Sequence, residues 1–314
     1  MRLIRHITDA EELAQGCVLT IGNFDGVHSG HKMMLEALVK KSNAMNLPAV
    51  VMCFEPQPIE YFRGADAPAR ISTARDKIVQ LSKTGVNVLY LVPFNDALAT
   101  MSAQQFVDSL HQQLNVKSLV VGDDFCFGKN RQGDYAFLQE AGKGYGFSVQ
   151  KSDSFIVNDN RVSSTLIREA LEKGELEKAA DYLGRRYVIS GRVMHGHKRG
   201  RELGFPTANI RVKNRKTPIR GVFAVTITVE SGLVYEGVAN VGTRPSIEDV
   251  TAVLLEAHLF DFSGDLYGQR VSVGFYKKLR KEKKFDGLEQ LKAQIAIDST
   301  QAKAYFNQQR TQQQ

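Results

Sequence analysis

Apolar residues in the first half of the chain gather in short, nearly unbroken runs at residues 17–21, 49–54, 86–92 and 118–121. Between the runs they recur every three or four positions. Met33, Met34, Leu35, Leu38 and Val39 follow the first run, and residues 73–83 and 103–114 repeat that spacing. Runs of this kind predict strands buried on both faces, and the spacing between them predicts amphipathic helices. Strands alternating with helices predict a parallel α/β sheet of Rossmann-like type. Such sheets bind ligands beyond the carboxyl ends of their strands, so the stretches from Gly22 and from Gly122 are where chemistry is expected.

The period changes near residues 183–187. Beyond it apolar positions alternate in twos: Phe223, Val225, Ile227 and Val229 share one face of residues 221–230. Residues 187–194, 233–241, 251–260 and 270–275 read the same way. Closely spaced strands without intervening helices predict a small antiparallel β-barrel. A terminal helix is expected over residues 286–306, on Leu288, Leu291, Ile295 and Ala302, with a frayed Gln-rich tail from Asn307. The expected division is one domain over residues 1–184 and a second over 185–314.

Composition narrows the class. With 314 residues, 43% of them hydrophobic, the chain is long enough for two packed cores. No stretch approaches the roughly 18–20 apolar residues of a membrane span. The charged N-terminus has no secretory h-region. Cys17, Cys53 and Cys126 have no metal-ligand spacing and read as free thiols, so a cytoplasmic location is expected. The formal charge of +7 favours anionic partners, among them nucleotides.

The segment Gly22-Asn23-Phe24-Asp25-Gly26-Val27-His28-Ser29-Gly30-His31 lies between a strand end and a helix start. Glycines allow the backbone to approach a ligand closely. The helix start aims N–H groups and a positive dipole end at it. His28 and His31, three apart, share one face there. Two imidazoles beside a helix N-terminus suit a phosphate that gains charge during transfer. A metal pair, or a pair of helix-capping histidines, is the competing reading. Further on, Ser163, Ser164 and Thr165 read either as a helix cap alone or as phosphate contacts, with Arg168 one turn away to reach a triphosphate.

A second constellation opens the barrel. Gly196, Gly200 and Gly204 alternate with Lys198, Arg199 and Arg201. The pattern fits a flexible basic loop over phosphates, or a basic turn before a strand. Thr207 and Asn209 offer neutral oxygens that suit a magnesium ion. Glu256 shares its face with Ala252, Leu254, His258 and Phe260. A carboxylate in such company is either a general base or an edge residue paired with an arginine.

These motifs carry a family resemblance. His28-Ser29-Gly30-His31 resembles the H-x-G-H signature of nucleotidyltransferases, and its longer form resembles the FMN adenylyltransferase module of bacterial flavin-synthesis enzymes. Residues 121–128 with Arg131 and Gly133 resemble that module's second loop, and residues 162–168 its Ser-Ser-Thr-x-x-Arg motif. Residues 203–209 resemble the riboflavin kinase signature; residues 240–246 and 255–261 resemble its later motifs. The resemblance implies a bifunctional riboflavin kinase/FMN adenylyltransferase with a nucleotidyltransferase-like first domain and a six-stranded kinase barrel. By it, the chain uses ATP and magnesium to make FMN from riboflavin and FAD from FMN. It implies nucleotide contacts from Gly22 to Asp25, His28, His31, Asp124, Ser163, Ser164, Thr165 and Arg168. On the kinase side it implies nucleotide contacts from Gly196, Lys198, Gly200, Gly204, Thr207 and Asn209. Flavin contacts would come from Phe54, Pro56, Pro58, Phe125, Phe127, Arg131, Asn240, Arg244 and Glu256. Thr207 and Asn209 would hold the magnesium; Glu256, His28 and His31 would be catalytic. The family's usual Pro-His-Pro reads Pro56-Gln57-Pro58 here. Partners are expected to be small molecules, without membrane or nucleic acid, in a monomer or weak homo-oligomer. The rival readings are another nucleotidyltransferase with an accessory barrel, and an RNA-binding protein using the basic run at residues 277–284.

Overall fold

Cys17–Ile21 is buried along its whole length, and it is the strand from which the first sheet is built outward. The computed structural model describes the chain apart from residues 7–12, 154, 158, 196–204, 213–215, 245–251 and 313–314, and the side chains of residues 243, 244 and 252. The chain divides into two units: Met1–Pro68 with Lys77–Ser163, and Ala69–Asp76 with Ser164–Gln314.

In chain order the first elements are β1 (Arg2–Ile4), β2 (Cys17–Ile21), α1 (Ser29–Met45), β3 (Ala49–Glu55), α2 (Pro58–Arg63) and α3 (Ala74–Leu81). There follow β4 (Val88–Pro93), α4 (Asp96–Thr100), α5 (Ala103–Leu114), β5 (Val116–Val121), α6 (Tyr135–Tyr145), β6 (Ser148–Lys151), and the strand pair β7 (Ile156–Val157) and β8 (Asn160–Arg161). The sheet order is β1-β4-β3-β2-β5-β6, with every neighbouring pair parallel. Cys17, Leu19 and Ile21 face one apolar layer with Phe106, Val107 and Leu110 of α5. Val18 faces the other, with Leu35 and Leu38 of α1. Each fully buried aliphatic side chain of this kind contributes about 1.5–3 kcal/mol. The chain leaves β2 towards β3 on one side and returns to β5 on the other, so β2 and β5 flank the topological switch point where a crevice opens.

The remaining elements are α7 (Ser164–Lys173), α8 (Leu176–Leu183), β9 (Tyr187–Met194), β10 (Thr207–Arg211), β11 (Gly221–Thr228), β12 (Val234–Arg244), β13 (Ala252–Leu259), β14 (Arg270–Arg280) and α9 (Leu288–Gln312). The barrel closes in the order β10-β13-β12-β11-β14-β9, antiparallel throughout, with β9 returning to β10. Alternation puts Phe223, Val225, Ile227, Leu255, Ala257, Val273 and Phe275 inside, all fully buried. The Phe223 and Phe275 rings meet edge to face at 5.4 Å. Outside, Val222, Ala224, Val238 and Phe260 are covered by Ala302 and Phe306 of α9.

Three expectations are corrected. The tail from Asn307 is not frayed: α9 runs to Gln312, because Arg310 pairs with Glu236 of β12 and donates to Asn307 Oδ1. Part of the basic run belongs to β14, which extends to Arg280. There Arg280 Nε and Nη2 donate to the buried Asp298 carboxylate at 2.9 and 2.8 Å. Finally, β1, β6, β7, β8 and β10 are strands beyond those the apolar pattern predicts. β1 and β6 are short and lie at the two sheet edges, and β6 is largely exposed and polar.

Asp298 is almost wholly enclosed, and its removal takes the carboxylate partner from the partly buried Arg280 guanidinium. Asp298→Ala is expected to destabilise the second unit by about 2 kcal/mol, read as a lower denaturant midpoint. An unchanged midpoint would show that this pair does not hold α9 to the barrel.

Candidate active sites

At the end of β2 the Gly22 amide donates to Met52 O of β3 at 3.1 Å, carrying the sheet ladder to the lip of the crevice. The loop that follows is strained. Phe24 and Val27 have φ of 46° and 42°, and positive φ in a β-branched residue is a genuine backbone outlier. Phe24 and Asp25 are buried. The Phe24 ring packs 4.9 Å from the His31 ring, so the phenyl supports the site from beneath and Asn23 is the exposed side chain of the loop.

His28 is the N-cap of α1, and its arrangement with His31 is reciprocal. The His31 amide donates to His28 Nδ1 and the His28 amide donates to His31 Nδ1, each at 3.3 Å. The rings stack with centroids 3.5 Å apart and 17° between planes. Two histidines thus play the parts usually taken by Ser/Thr and Glu in a capping box. Because each Nδ1 accepts from a backbone N–H, the neutral rings carry their proton on Nε2. A proton on Nδ1 would oppose that N–H. The capping and phosphate readings are therefore compatible: capping turns both Nε2–H groups into oriented donors. The glycine between them has its own reason. A Cβ at Gly30 would stand 3.3 Å from the His28 ring, so a side chain there would require the ring to give by a few tenths of an ångström.

Two further expected segments sit at neighbouring strand ends. After β3, Pro56 is exposed and Gln57 buried, with the Gln57 amide donating to Glu60 Oε2 at 3.0 Å. Phe54 is buried. Its ring meets Phe94 at 5.8 Å, and Phe94 also meets Tyr61 and Phe62. Phe62 is 66% exposed, an open aromatic face that the sequence reading missed. After β5, Phe127 is enclosed by Phe106, Phe125 and Phe137 and pairs with Gly133 in a backbone bridge. A Cβ on Gly133 would lie 2.4 Å from the Phe127 ring. Phe127 therefore shapes the loop from inside, while Phe125 is half-buried and Asp124 and Arg131 are exposed. Arg161 of β8, also missed, donates both terminal nitrogens to Asp123 and lies 3.6 Å from Asp124. Burial pushes the Cys17 and Cys53 thiols up to about 12 and about 11, which removes them as nucleophiles.

In the second unit α7 begins at Ser164, and Arg168 Nε donates to Ala69 O at 2.6 Å. The barrel brings its expected residues into register. Asn209 of β10, Glu256 of β13 and Asn240 of β12 are direct neighbours in one row. Thr207 pairs with His258 two residues along. Glu256 is on the outer, half-buried face of β13, because Leu255 and Ala257 are the residues turned inward. Its cross-strand neighbours are two asparagines rather than apolar residues. Alternation also puts Thr207 and Asn209 side chains on one face of β10. Hard, neutral oxygens of this kind fit magnesium held jointly with phosphates. Gly196, Lys198, Gly200, Gly204 and the Arg244 side chain lie outside the described residues. Among the described residues no helix is long and apolar enough to cross a membrane.

Comparison with known proteins agrees with both halves. A family model described as FAD synthetase matches residues 10–166, and one described as riboflavin kinase matches residues 183–306. The bifunctional riboflavin kinase/FMN adenylyltransferase of Haemophilus influenzae is 49% identical, over 98% of this chain and 100% of that protein. The protein of the same name from Escherichia coli K12 is 45% identical over 98% of each. A crystal structure described as a macrolide-efflux protein from Streptococcus pneumoniae superposes with a TM-score of 0.79 at 30% identity, covering 94% of this chain and 96% of that one. With a sheet whose signature loop caps a helix with two histidines, a barrel that aligns a carboxylate between two asparagines, and relatives matched end to end, the chain belongs to the family of bifunctional riboflavin kinases/FMN adenylyltransferases.

Proposed function

We propose that the family's two reactions run at separate places on this chain, adenylyl transfer in residues 1–184 and riboflavin phosphorylation in residues 185–314. The observation that carries this reading is the reciprocal cap of His28 and His31 at the helix start that follows β2, which occupies both Nδ1 atoms and leaves the proton of each neutral ring on Nε2.

In the first reaction an FMN phosphate oxygen attacks the α-phosphorus of ATP. The new P–O–P bond forms as the bond to the β-phosphate oxygen breaks, and pyrophosphate leaves. The attacking group is already an anion, so the protein supplies position and charge stabilisation rather than a nucleophile. The Nε2–H groups of His28 and His31 donate to the α-phosphate oxygens as charge builds there, with the N-terminus of α1 behind them. Ser163, Ser164, Thr165 and Arg168 are assigned to the ATP phosphates on their motif. Phe62 and Phe125 are assigned to the flavin ring on their accessible aromatic faces.

In the second reaction Glu256 accepts the proton of the riboflavin 5′-hydroxyl, whose oxygen attacks the γ-phosphorus of ATP and displaces ADP. Asn209 and Asn240 hold hydroxyl and phosphate oxygens on either side of that carboxylate. Thr207 and Asn209 would bind magnesium, which offsets phosphate charge when present. A cytoplasmic location fits the free thiols of Cys17, Cys53 and Cys126.

Two sites give separable variants. Glu256→Gln is expected to abolish FMN formation while FMN still becomes FAD, and His31→Ala to do the reverse; product chromatography distinguishes them. Loss of both activities from one folded variant would contradict the assignment. A sharper variant separates the cap from the chemistry. Asparagine is a good N-cap, so His28→Asn is expected to keep stability within about 0.5 kcal/mol. It removes an Nε2–H donor, and FAD formation is expected to fall roughly a hundred- to a thousandfold. An active His28→Asn enzyme would show that His28 serves the helix alone.

A further inference from the structure

His258 sits two residues beyond Glu256 on the same face of β13, directly across from Thr207. Its Nδ1 lies 2.9 Å from the carbonyl oxygen of Pro206. A carbonyl only accepts, so Nδ1 carries the proton and donates, the opposite tautomer from His28 and His31. The ring is braced on both sides: Phe205 meets it edge-on at 5.4 Å and Phe260 at 5.7 Å.

The place of this bond matters because of the residue it holds. β10 begins at Thr207, and the residue before it, Pro206, has no N–H to enter a strand ladder. Its carbonyl gives the approach to Thr207 a tie to β13 in addition to the ladder pairing of Thr207 with His258. Without it the first residues of β10 would be held to β13 by their ladder pairing alone, and Thr207 is the first of them. Thr207 and Asn209 lie on one face of β10, and Asn209 pairs with Glu256. Movement at the start of the strand therefore changes the distance between the nucleotide-side oxygens and the carboxylate.

We propose that His258 is a positioning residue of riboflavin phosphorylation: its Nδ1–H anchors the Pro206 carbonyl and so sets Thr207 and Asn209 against Glu256. The proposal rests on the reading of that row as the kinase site.

Two variants test it. His258→Phe keeps a ring between Phe205 and Phe260 but removes the donor. His258→Asn returns an amide N–H to the position of Nδ1. The loss of one hydrogen bond predicts that His258→Phe raises the KM for ATP in riboflavin phosphorylation roughly three- to tenfold. Its kcat should change less, and FMN adenylylation by the same protein should be unchanged. Amide hydrogen exchange at Thr207, Ala208 and Asn209, measured without nucleotide, should quicken, and His258→Asn should restore both readouts. Unchanged KM and exchange in His258→Phe would overturn the proposal. So would His258→Asn behaving like His258→Phe, or an equal fall in both activities, which would mark a general loss of stability. If Glu256→Gln left phosphorylation intact, the reading of the row would fail instead, and the exchange data would still judge the Pro206 anchor.

Discussion

A buried peptide group must find a hydrogen-bond partner, and the two halves of this chain meet that demand differently. The parallel sheet pairs its strands side by side but delivers the chain into a helix whose first N–H groups have no partner within the helix. The barrel closes on itself, so its ladders leave no edge. Chemistry in the first half is accordingly expected at a helix start. In the second half it is expected on a row of side chains running across several strands.

At His28 and His31 the structural demand of the helix start and the chemistry proposed for it coincide. Both Nδ1 atoms are occupied by backbone amides, and that satisfies part of the helix start. The same bonds hold each ring in one tautomer and one orientation. The strain at Phe24 and Val27 bends the loop into that arrangement, and the buried Phe24 ring supports it from below. In the barrel the equivalent precision comes from register. A one-residue slip between β10 and β13 would move Asn209 to the other face from Glu256.

Much of this was legible in the sequence. The strands at residues 17–21, 49–54 and 118–121 were visible because burial on both faces leaves nearly continuous apolar runs. The barrel was visible because one buried face leaves alternation. Less legible were the edge strands β1 and β6, whose polar or brief sequences carry little periodicity, and β10, whose alternating residues are mostly small or polar. Of the sites, the histidine pair and Glu256 were marked by type and spacing. Their surroundings were not: that two asparagines flank Glu256, or that Phe62 stays open while Phe127 is enclosed, depends on pairing between distant segments. The departure at Gln57 was visible as a letter, but its burial was not. The reach of α9 to Gln312 was missed because a polar tail gives no apolar signal, and Arg310 holds it through Glu236 instead.

The proposed pair of reactions requires that one polypeptide hold two independent nucleotide-binding places. Equilibrium titration with a non-hydrolysable ATP analogue and magnesium tests it most directly, because it counts sites without requiring either reaction to proceed. Two analogue molecules bound per chain, with different affinities, is the predicted result. Saturation at one per chain would contradict the account.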